Sequence, residues 1–310
     1  MTTIRDAYGE ALAAYGKADP RVVVLDADVS GSTKSVAFQK ACPERFFNVG
    51  IAEANMTAMA AGFAASGKIP FVNTFAVFLT SIGLTAARIF GSYSNLPLKL
   101  VGAYGGISDA LDGPSHHSLE DIAVIRALPG FKVFVASDAT QCAWLVKNAI
   151  DDPSPMYLRM SRNAFPDIYE KGEAFEAGKG KIVREGDDAT VIACGLMVGN
   201  ALRAARMLEQ RGLKVRVVDM FTIKPLDTDL LLRCARETGA IVTAEEHNIL
   251  GGLGGAVCEE LCKAGAASKV GMVGVNDTHT ECGEYEQLQK KYEIDAEAIA
   301  RKVLQTLGVS

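Results

Sequence analysis

Short, mostly apolar runs alternate with helix-like segments along the first half of the chain. Uncharged strands that alternate with helices are typical of a parallel sheet that is covered on both faces. The predicted strands are residues 22–29, 45–50, 69–75, 98–105, 131–137 and 155–162. The predicted helices are residues 5–18, a segment that begins at residue 53, and residues 80–93, 119–128 and 141–150.

A polar segment with Pro and Gly follows, and then the alternation begins again. The later strands are predicted at residues 189–195, 214–220, 240–247 and 270–275, and the helices at residues 200–212, 227–239, 251–265 and 295–308. We therefore expect an α/β protein with two doubly wound domains in series, each with a mostly parallel sheet covered by helices. The expected ranges are a first domain at 1–165, a linker at 166–180 and a second domain at 181–310.

Composition is typical of a globular cytoplasmic protein. The 310 residues are 49% hydrophobic and 22% charged, which is enough for two cores, and the net charge of −5 argues against a nucleic-acid-binding role. The seven cysteines contain no CxxC pair and no zinc-ligand set, so we expect reduced thiols. Residues 69–87 carry no charge, but they include Asn73 and Ser81 and read as strand, turn and helix. The N-terminus is not a signal peptide, and no membrane segment is predicted.

One carboxylate stands out in residues 48–67, where Glu53 is the only charged residue. The helix that begins there is small and apolar on nearly all sides, which is typical of a buried helix. A buried carboxylate without a partner is costly, so Glu53 should find a partner or favour its neutral form.

The loop DALDGPSHHSLED, residues 109–121, contains two of the four histidines, His116 and His117, among several acids. Capping of the following helix explains Ser118 and Asp121 but explains the adjacent histidines poorly. A site that orients hydroxyls or moves protons and a solvated loop both remain open here.

Other candidates lie at predicted strand ends. Phe75 and Phe78 are either core residues or a stacking surface for a planar heterocycle, and Asp28 either caps a turn or lies near a ligand. GGLGGA, residues 251–256, follows a strand and opens a helix. It lacks the third glycine of GxGxxG and a suitably spaced acid, which favours a tight packing turn over a dinucleotide site.

Taken together, the motifs GIAE, TFAVF, DGPSHHSLED, YLRMSR and VVDMFTIKPLD occur in the order found in transketolases. Over essentially the whole chain, the sequence resembles the pyrimidine-binding and C-terminal domains of that family. The GDG…N signature that holds magnesium and the diphosphate of thiamine diphosphate is missing. The resemblance therefore implies the C-terminal subunit of a split transketolase, which transfers a two-carbon ketol unit from a ketose (phosphate) to an aldose (phosphate).

The resemblance also assigns roles around the cofactor. Glu53 matches the glutamate that hydrogen-bonds the pyrimidine N1′ and promotes the imino tautomer. Phe75 and Phe78 match aromatics around the aminopyrimidine ring, and Asp28 matches an aspartate on the thiazolium side. Mg²⁺ is expected on a separate N-terminal subunit, with this chain self-associating into an α2β2 assembly and offering no metal ligands of its own.

The expected substrate contacts follow in the same way. Asp112 and His116 match residues that contact sugar hydroxyls, with His116 counted as catalytic beside Glu53. The residues that match the phosphate end of the sugar are Arg5, Ser32 and Arg162. Tyr104 stands where several transketolases have a histidine, and Leu111 replaces a family acid, so the donor and acceptor sugars stay open.

Two other functions are also compatible with the sequence. One is a related thiamine enzyme, either a deoxyxylulose-phosphate synthase fragment or the β subunit of an oxo-acid dehydrogenase. The other is a regulatory or assembly module that kept the fold and lost the chemistry.

Overall fold

The computed structural model describes residues 3–309 and contains two β-sheets. Across the first sheet the strands are β10 (Thr222–Lys224), β5 (Lys132–Val135), β6 (Met156–Arg159), β4 (Lys99–Ala103), β3 (Ile69–Phe75), β1 (Val22–Asp26) and β2 (Phe46–Asn48). Across the second they are β12 (Val270–Val275), β11 (Ile241–Asn248), β8 (Ala189–Ala193), β9 (Val215–Asp219) and β7 (Lys181–Arg184). All pairings are parallel except β10 with β5 and β7 with β9.

Helices connect the strands and cover the sheets. In the first half they are α1 (Ile4–Ala18), α2 (Ser30–Thr33), α3 (Val36–Ala41), α4 (Glu53–Ala65), α5 (Ala76–Ser81), α6 (Leu84–Ala86), α7 (Asp121–Arg126) and α8 (Ala139–Asp151). In the second half they are α9 (Met197–Glu209), α10 (Thr228–Glu237), α11 (Leu253–Lys263), α12 (Tyr285–Lys291) and α13 (Ala296–Leu307). A 3₁₀ turn covers Pro43–Arg45, and a π-helical segment covers Ala87–Tyr93.

This architecture confirms the predicted α/β class with two mostly parallel sheets in series. The central strands β1, β3 and β4 are buried along their whole length, as expected for a sheet with helices on both faces. Several helices begin at a capping side chain whose oxygen accepts a backbone N–H, including Asp138 before α8 and Asp295 before α13.

Several local features differ from the prediction, and helices α2, α3 and α12 are among the elements that were not predicted. The helix predicted at residues 80–93 is divided into α5, α6 and the π-helical segment, and α7 is shorter than the predicted 119–128. The edge strands β7 and β10 were not predicted. Helix α4 also leaves one small-residue face exposed, whereas the sequence predicted burial nearly all round; the exposed residues are Ala54, Asn55, Ala58, Met59, Gly62 and Ala65.

Side chains and one strand join the two sheets. β10 lies in the second half of the chain but pairs with β5 of the first sheet, and Lys224 Nζ donates to the carbonyl of Arg126 at 2.9 Å. Arg126 in turn pairs with Glu259 of α11 through two 2.7 Å contacts. The segment predicted as a linker lies against the first domain, because the Asp138 carboxylate accepts the backbone N–H of Tyr169 at 2.8 Å. All seven cysteines are free thiols.

A buried carboxylate lies between the domains at Glu246, in β11. Its Oε1 accepts the N–H of Ile107 at 2.8 Å, and its Oε2 accepts the hydroxyl of Tyr285 at 2.7 Å. Arg159 Nη2 donates to the Glu246 carbonyl at 2.8 Å and also contacts the buried Asp121. Burial raises the pKa of Glu246 to about 7.

Candidate active site at the carboxyl edge of the first sheet

Four of the residues singled out in the sequence lie at the carboxyl ends of neighbouring strands. Asp28 follows β1, Phe75 ends β3, Tyr104 follows β4 and Arg162 follows β6. Since β6, β4, β3 and β1 are adjacent and parallel, these residues share one edge of the sheet. Ligands of open α/β sheets bind at this edge.

Glu53 is the first residue of α4 and is only 3% exposed. Its Oε1 accepts the hydroxyl of Thr74, the residue before Phe75, at 3.3 Å. Its backbone carbonyl accepts the hydroxyl of Thr57 at 2.9 Å. The buried carboxylate therefore has one side-chain hydrogen-bond donor, the Thr74 hydroxyl.

Aromatic rings form a layer at the same edge of the sheet. The rings of Phe75 and Phe78 lie 6.0 Å apart. His116 contacts both at edge-on angles, with centroids 5.9 Å from Phe75 and 5.2 Å from Phe78. On its other side Phe75 stacks on Tyr104, with centroids 4.6 Å apart. Phe78 and His116 are only partly buried, so this layer has an open side on which a planar ring can pack.

Two guanidinium groups lie against the ring of Tyr104. Arg5 is 4.8 Å and Arg162 is 5.3 Å from the ring centroid, both within cation–π range. Arg5 Nη1 also donates to the Tyr104 hydroxyl at 2.8 Å and to the carbonyl of Ser32 at 2.7 Å. Tyr104 adopts a left-handed backbone, with φ of 61°. The structure thus groups Arg5, Ser32 and Arg162, the three residues predicted at the phosphate end of the sugar, around Tyr104.

The adjacent histidines have different surroundings. His116 is half-buried and faces the aromatic layer. Its Nδ1 forms a 3.0 Å hydrogen bond with the Ser115 hydroxyl. His117 turns inward, where it contacts the Thr280 hydroxyl and the Asp109 carbonyl, and burial lowers its pKa. Only His116 is therefore available to a ligand, and His117 holds the loop to the second domain.

The same loop displays Asp112 and Leu111 to solvent. Its turn requires glycine at position 113, where φ is 78°. A Cβ at Gly113 would lie 2.1 Å from Cys282 Sγ, so the loop packs closely against the second domain.

Asp28 accepts a hydrogen bond from Asn48 Nδ2 at 2.7 Å and has a left-handed φ of 66°. This conformation is maintained by Asp26, a residue that no sequence motif pointed to. Asp26 is fully buried and accepts from the Val29 N–H at 2.7 Å and from two hydroxyls, and burial raises its pKa. In the sequence, Asp26 could have been recognised as an acid at the end of an otherwise apolar strand.

Asp109 is a second residue to which the sequence assigned no role. Its carboxylate pairs with Arg162 and is completely buried, whereas the Arg162 side chain is 37% exposed. Asp109 Oδ2 has no hydrogen-bond partner. Burial and the nearby charge of Asp112 raise the pKa of Asp109. This pairing depends on tertiary structure, so the acid-rich loop alone did not reveal it.

At the GGLGGA turn, a side chain of the protein itself binds the backbone N–H groups that a ligand phosphate would otherwise use. The Glu245 carboxylate accepts the N–H groups of Leu253 and Gly254, at 2.7 and 2.8 Å, at the start of α11. A Cβ at Gly252 would lie 2.0 Å from Glu245 Oε2. The glycines therefore allow a carboxylate to cap the helix, which supports the predicted packing turn.

Within residues 3–309, no group of three or more His, Cys, Asp or Glu side chains is arranged to hold a metal ion. Over the same part of the chain, no helix has the length and apolar character needed to cross a bilayer.

Comparison with protein families gives matches over most of the chain. Residues 1–167 match the family described as "Transketolase, pyrimidine binding domain", and residues 178–299 match "Transketolase, C-terminal domain". A solved structure described as "Split gene transketolase, inactive beta4 tetramer" superimposes with a TM-score of 0.89 at 44% identity. It covers 99% of this chain and 98% of that one.

Three relatives match along nearly their whole length. A putative transketolase C-terminal section of Methanocaldococcus jannaschii is 40% identical, over 98% of this chain and 96% of the relative. A 6-deoxy-6-sulfo-D-fructose transketolase subunit of a Clostridium species is 37% identical, over 96% and 92%. One of the subunits of an apulose-4-phosphate transketolase of Phocaeicola vulgatus is 36% identical, over 98% and 97%.

Proposed function

The chain belongs to the transketolase family as a C-terminal subunit of the split type, and on that premise we propose how it works. It binds the pyrimidine end of thiamine diphosphate, and with a separate N-terminal subunit it transfers a two-carbon ketol unit between sugars. The observation that carries this proposal is Glu53, a buried carboxylate at the head of α4 that accepts a hydrogen bond from Thr74, the residue before Phe75.

The residues present fit the pyrimidine ring. A heterocycle that packs on Phe78 next to Phe75 would bring a ring nitrogen toward the Glu53 carboxyl. Glu53 would hold a proton between its carboxyl and N1′, which needs a carboxyl group and not an amide. The Thr74 hydroxyl would fix the other side of that carboxyl.

Thiamine diphosphate, when bound, supplies the electron sink for breaking the carbon–carbon bond beside a ketose carbonyl. This chain's contribution is position and proton control. His116 would orient a sugar hydroxyl from the edge of the aromatic layer, with Asp112 as a second hydroxyl partner. Asp28 would face the thiazolium side, in the strained turn that Asp26 maintains.

The far end of the sugar would lie between Arg5, Ser32 and Arg162, whose side chains or backbone meet around Tyr104. The two relatives with named sugars act on 6-deoxy-6-sulfo-D-fructose and on apulose-4-phosphate. Both sugars carry an anionic group at one end, so we propose a ketose donor of that general kind for this chain.

The partners follow from what the described residues offer. We assign Mg²⁺ and the diphosphate to the N-terminal subunit, because the GDG signature that holds them in the family is missing from this sequence. Helix α4 has an exposed small-residue face. Exposed apolar side chains also occur at Ile51, two residues before α4 and 84% exposed, and at Tyr93, 88% exposed and in the π-helical segment that packs on α4. A patch of this kind marks an interface, and we propose that it supports self-association within an α2β2 assembly.

Reconstitution tests the proposal. The chain is assayed with thiamine diphosphate and Mg²⁺, alone and with an N-terminal subunit that carries the GDG signature. The substrates are a ketose phosphate with an aldose and, in a separate assay, pyruvate. We expect no turnover alone and ketol transfer from the mixture. Full turnover by the chain alone, or a mixture that consumes only pyruvate, would refute it; the second result would indicate a deoxyxylulose-phosphate synthase or an oxo-acid dehydrogenase.

A further inference from the structure

We propose that Asp109 is a specificity-determining residue that directs the far end of the sugar site toward groups with at most one negative charge. A terminal sulfonate, carboxylate or hydroxymethyl group fits this description better than a phosphate dianion does. The inference rests on the proposed function, because it assumes that Arg5 and Arg162 face the end of a sugar.

The first step is that Arg162 already has a counter-ion. Asp109 pairs with its guanidinium from a fully buried position, and Asp109 Oδ2 has no other partner. If an incoming anion pulled Arg162 away, the carboxylate would remain buried and uncompensated, which is costly. An anion must therefore share Arg162 with Asp109, and repulsion from Asp109 grows with the charge of that anion.

The second step concerns the other donors. Arg5 Nη1 is already used by the Ser32 carbonyl and the Tyr104 hydroxyl, which leaves less of its fork for a ligand. Tyr104 can donate one hydrogen bond but brings no charge. Asp112 lies close enough to Asp109 to act on it electrostatically, so two carboxylates offset two guanidiniums in this region.

These contacts separate two possible roles for Asp109. A residue that only positions Arg162 would improve binding of every anion, and its loss would weaken them all. A residue that offsets charge would weaken a dianion more than a monoanion, and its loss would favour the dianion selectively.

The test measures binding to the purified chain by NMR of the arginine side chains, at pH 8. Methyl phosphate is the dianionic probe and methanesulfonate the monoanionic one. In Asp109→Asn we expect methyl phosphate to bind roughly tenfold more tightly than in wild type, with methanesulfonate changed less than about threefold. Equal gains, no change or a loss for methyl phosphate would overturn the proposal.

Two further variants keep the result interpretable. Asp187→Asn, in the exposed loop before β8, makes the same change in net charge and should alter neither affinity. Asp112→Asn removes the exposed second carboxylate and leaves both members of the Asp109–Arg162 pair in place, and it should shift the probes in the same direction by a smaller factor. If Asp109→Asn does not fold, an unchanged methyl phosphate affinity in Asp112→Asn overturns the proposal.

Because binding is measured without turnover, a failure of the Asp109 proposal can be distinguished from a failure of the proposed function. In the reconstituted assembly, Asp109→Asn should raise kcat/KM for a ketose phosphate relative to the matching unphosphorylated ketose. Absence of ketol transfer with every sugar would refute the proposed function, whereas transfer with an unshifted ratio would refute only the role of Asp109.

Discussion

Arg5 donates a 2.8 Å hydrogen bond to the hydroxyl of Tyr104, and its guanidinium lies 4.8 Å from the centre of that ring. Tyr104 therefore holds a cation in place and brings no charge of its own. With Arg162 also against the ring, Tyr104 acts as a spacer that sets the distance between two positive charges.

Tyr104→Phe tests this spacing. It removes the hydrogen-bond acceptor for Arg5 and keeps the ring between the arginines. We expect KM for an anionic ketose to rise about three- to tenfold, the size of one ordinary hydrogen bond, with kcat nearly unchanged. Steady-state kinetics of the reconstituted enzyme provide the measurement. A fall in kcat at constant KM would instead place Tyr104 at the reacting atoms.

Glu53→Gln should keep the fold and lose most turnover. An amide cannot exchange a proton with N1′, and general acid–base groups contribute about 10²–10⁴-fold. The measurement is hydrogen–deuterium exchange at the thiazolium C2 of the cofactor in the assembled enzyme. Glu44→Gln, at an exposed position, is the matched control. Exchange at the wild-type rate in Glu53→Gln would disprove the assigned role.

Arg162→Ala should have two separable effects. KM for sugars with an anionic end should rise while neutral sugars are barely affected, because a charge-assisted contact is lost. The fold should also lose about 1–3 kcal/mol, since Asp109 becomes a buried acceptor without its partner.

The double variant Arg162→Ala with Asp109→Asn distinguishes these effects. Relative to Arg162→Ala, the double variant should regain much of the lost stability, measured as the urea midpoint. It should regain none of the lost affinity for anionic sugars. If both sugar classes suffer equally, Arg162 has only a structural role.

Gly113→Ala should impair activity through the loop that carries Asp112 and His116. The new Cβ would meet Cys282 Sγ in a left-handed backbone conformation. Gly172→Ala is a close control, because its φ is 91° and nothing lies within 4 Å of a Cβ there. Both variants should lose about 1–2 kcal/mol from backbone strain, but only Gly113→Ala should lower kcat/KM strongly. Adding Cys282→Ala should restore part of that activity, and equal activities for the two glycine variants would contradict the close packing.

The free energy of unfolding should fall as the pH rises from the ordinary pKa of Glu246 to its folded pKa. Its ordinary pKa is 4.5 and its folded pKa is about 7, so between these values the folded state binds more protons than the unfolded state. The loss between pH 4.5 and 8 should reach about 3 kcal/mol at most.

Glu246→Gln retains an oxygen for the Ile107 N–H and should flatten this dependence. Urea midpoints at several pH values measure it, with the exposed Glu297→Gln as control. A slope unchanged by Glu246→Gln would show that the carboxyl is ionised in the folded protein throughout.

Sequence patterns predicted the sheets, because uncharged strands that alternate with helices are compatible with few architectures other than a parallel sheet covered by helices. They located Glu53, Phe75 and His116 because a motif fixes local order. They did not reveal the Asp109–Arg162 pair, whose members are distant in sequence and meet only when β4 and β6 align. The pattern also missed β10, since three residues before a proline carry no periodicity.

The pairing of β10 with β5 has a consequence for protein engineering. Cutting the chain near residue 180 would remove a strand from the first sheet and leave β5 as a bare edge, open to pairing with other molecules. The C-terminal domain is thus a poor interchangeable module. A chimera that swaps it must import a strand compatible with the recipient's sheet, or the host half will aggregate.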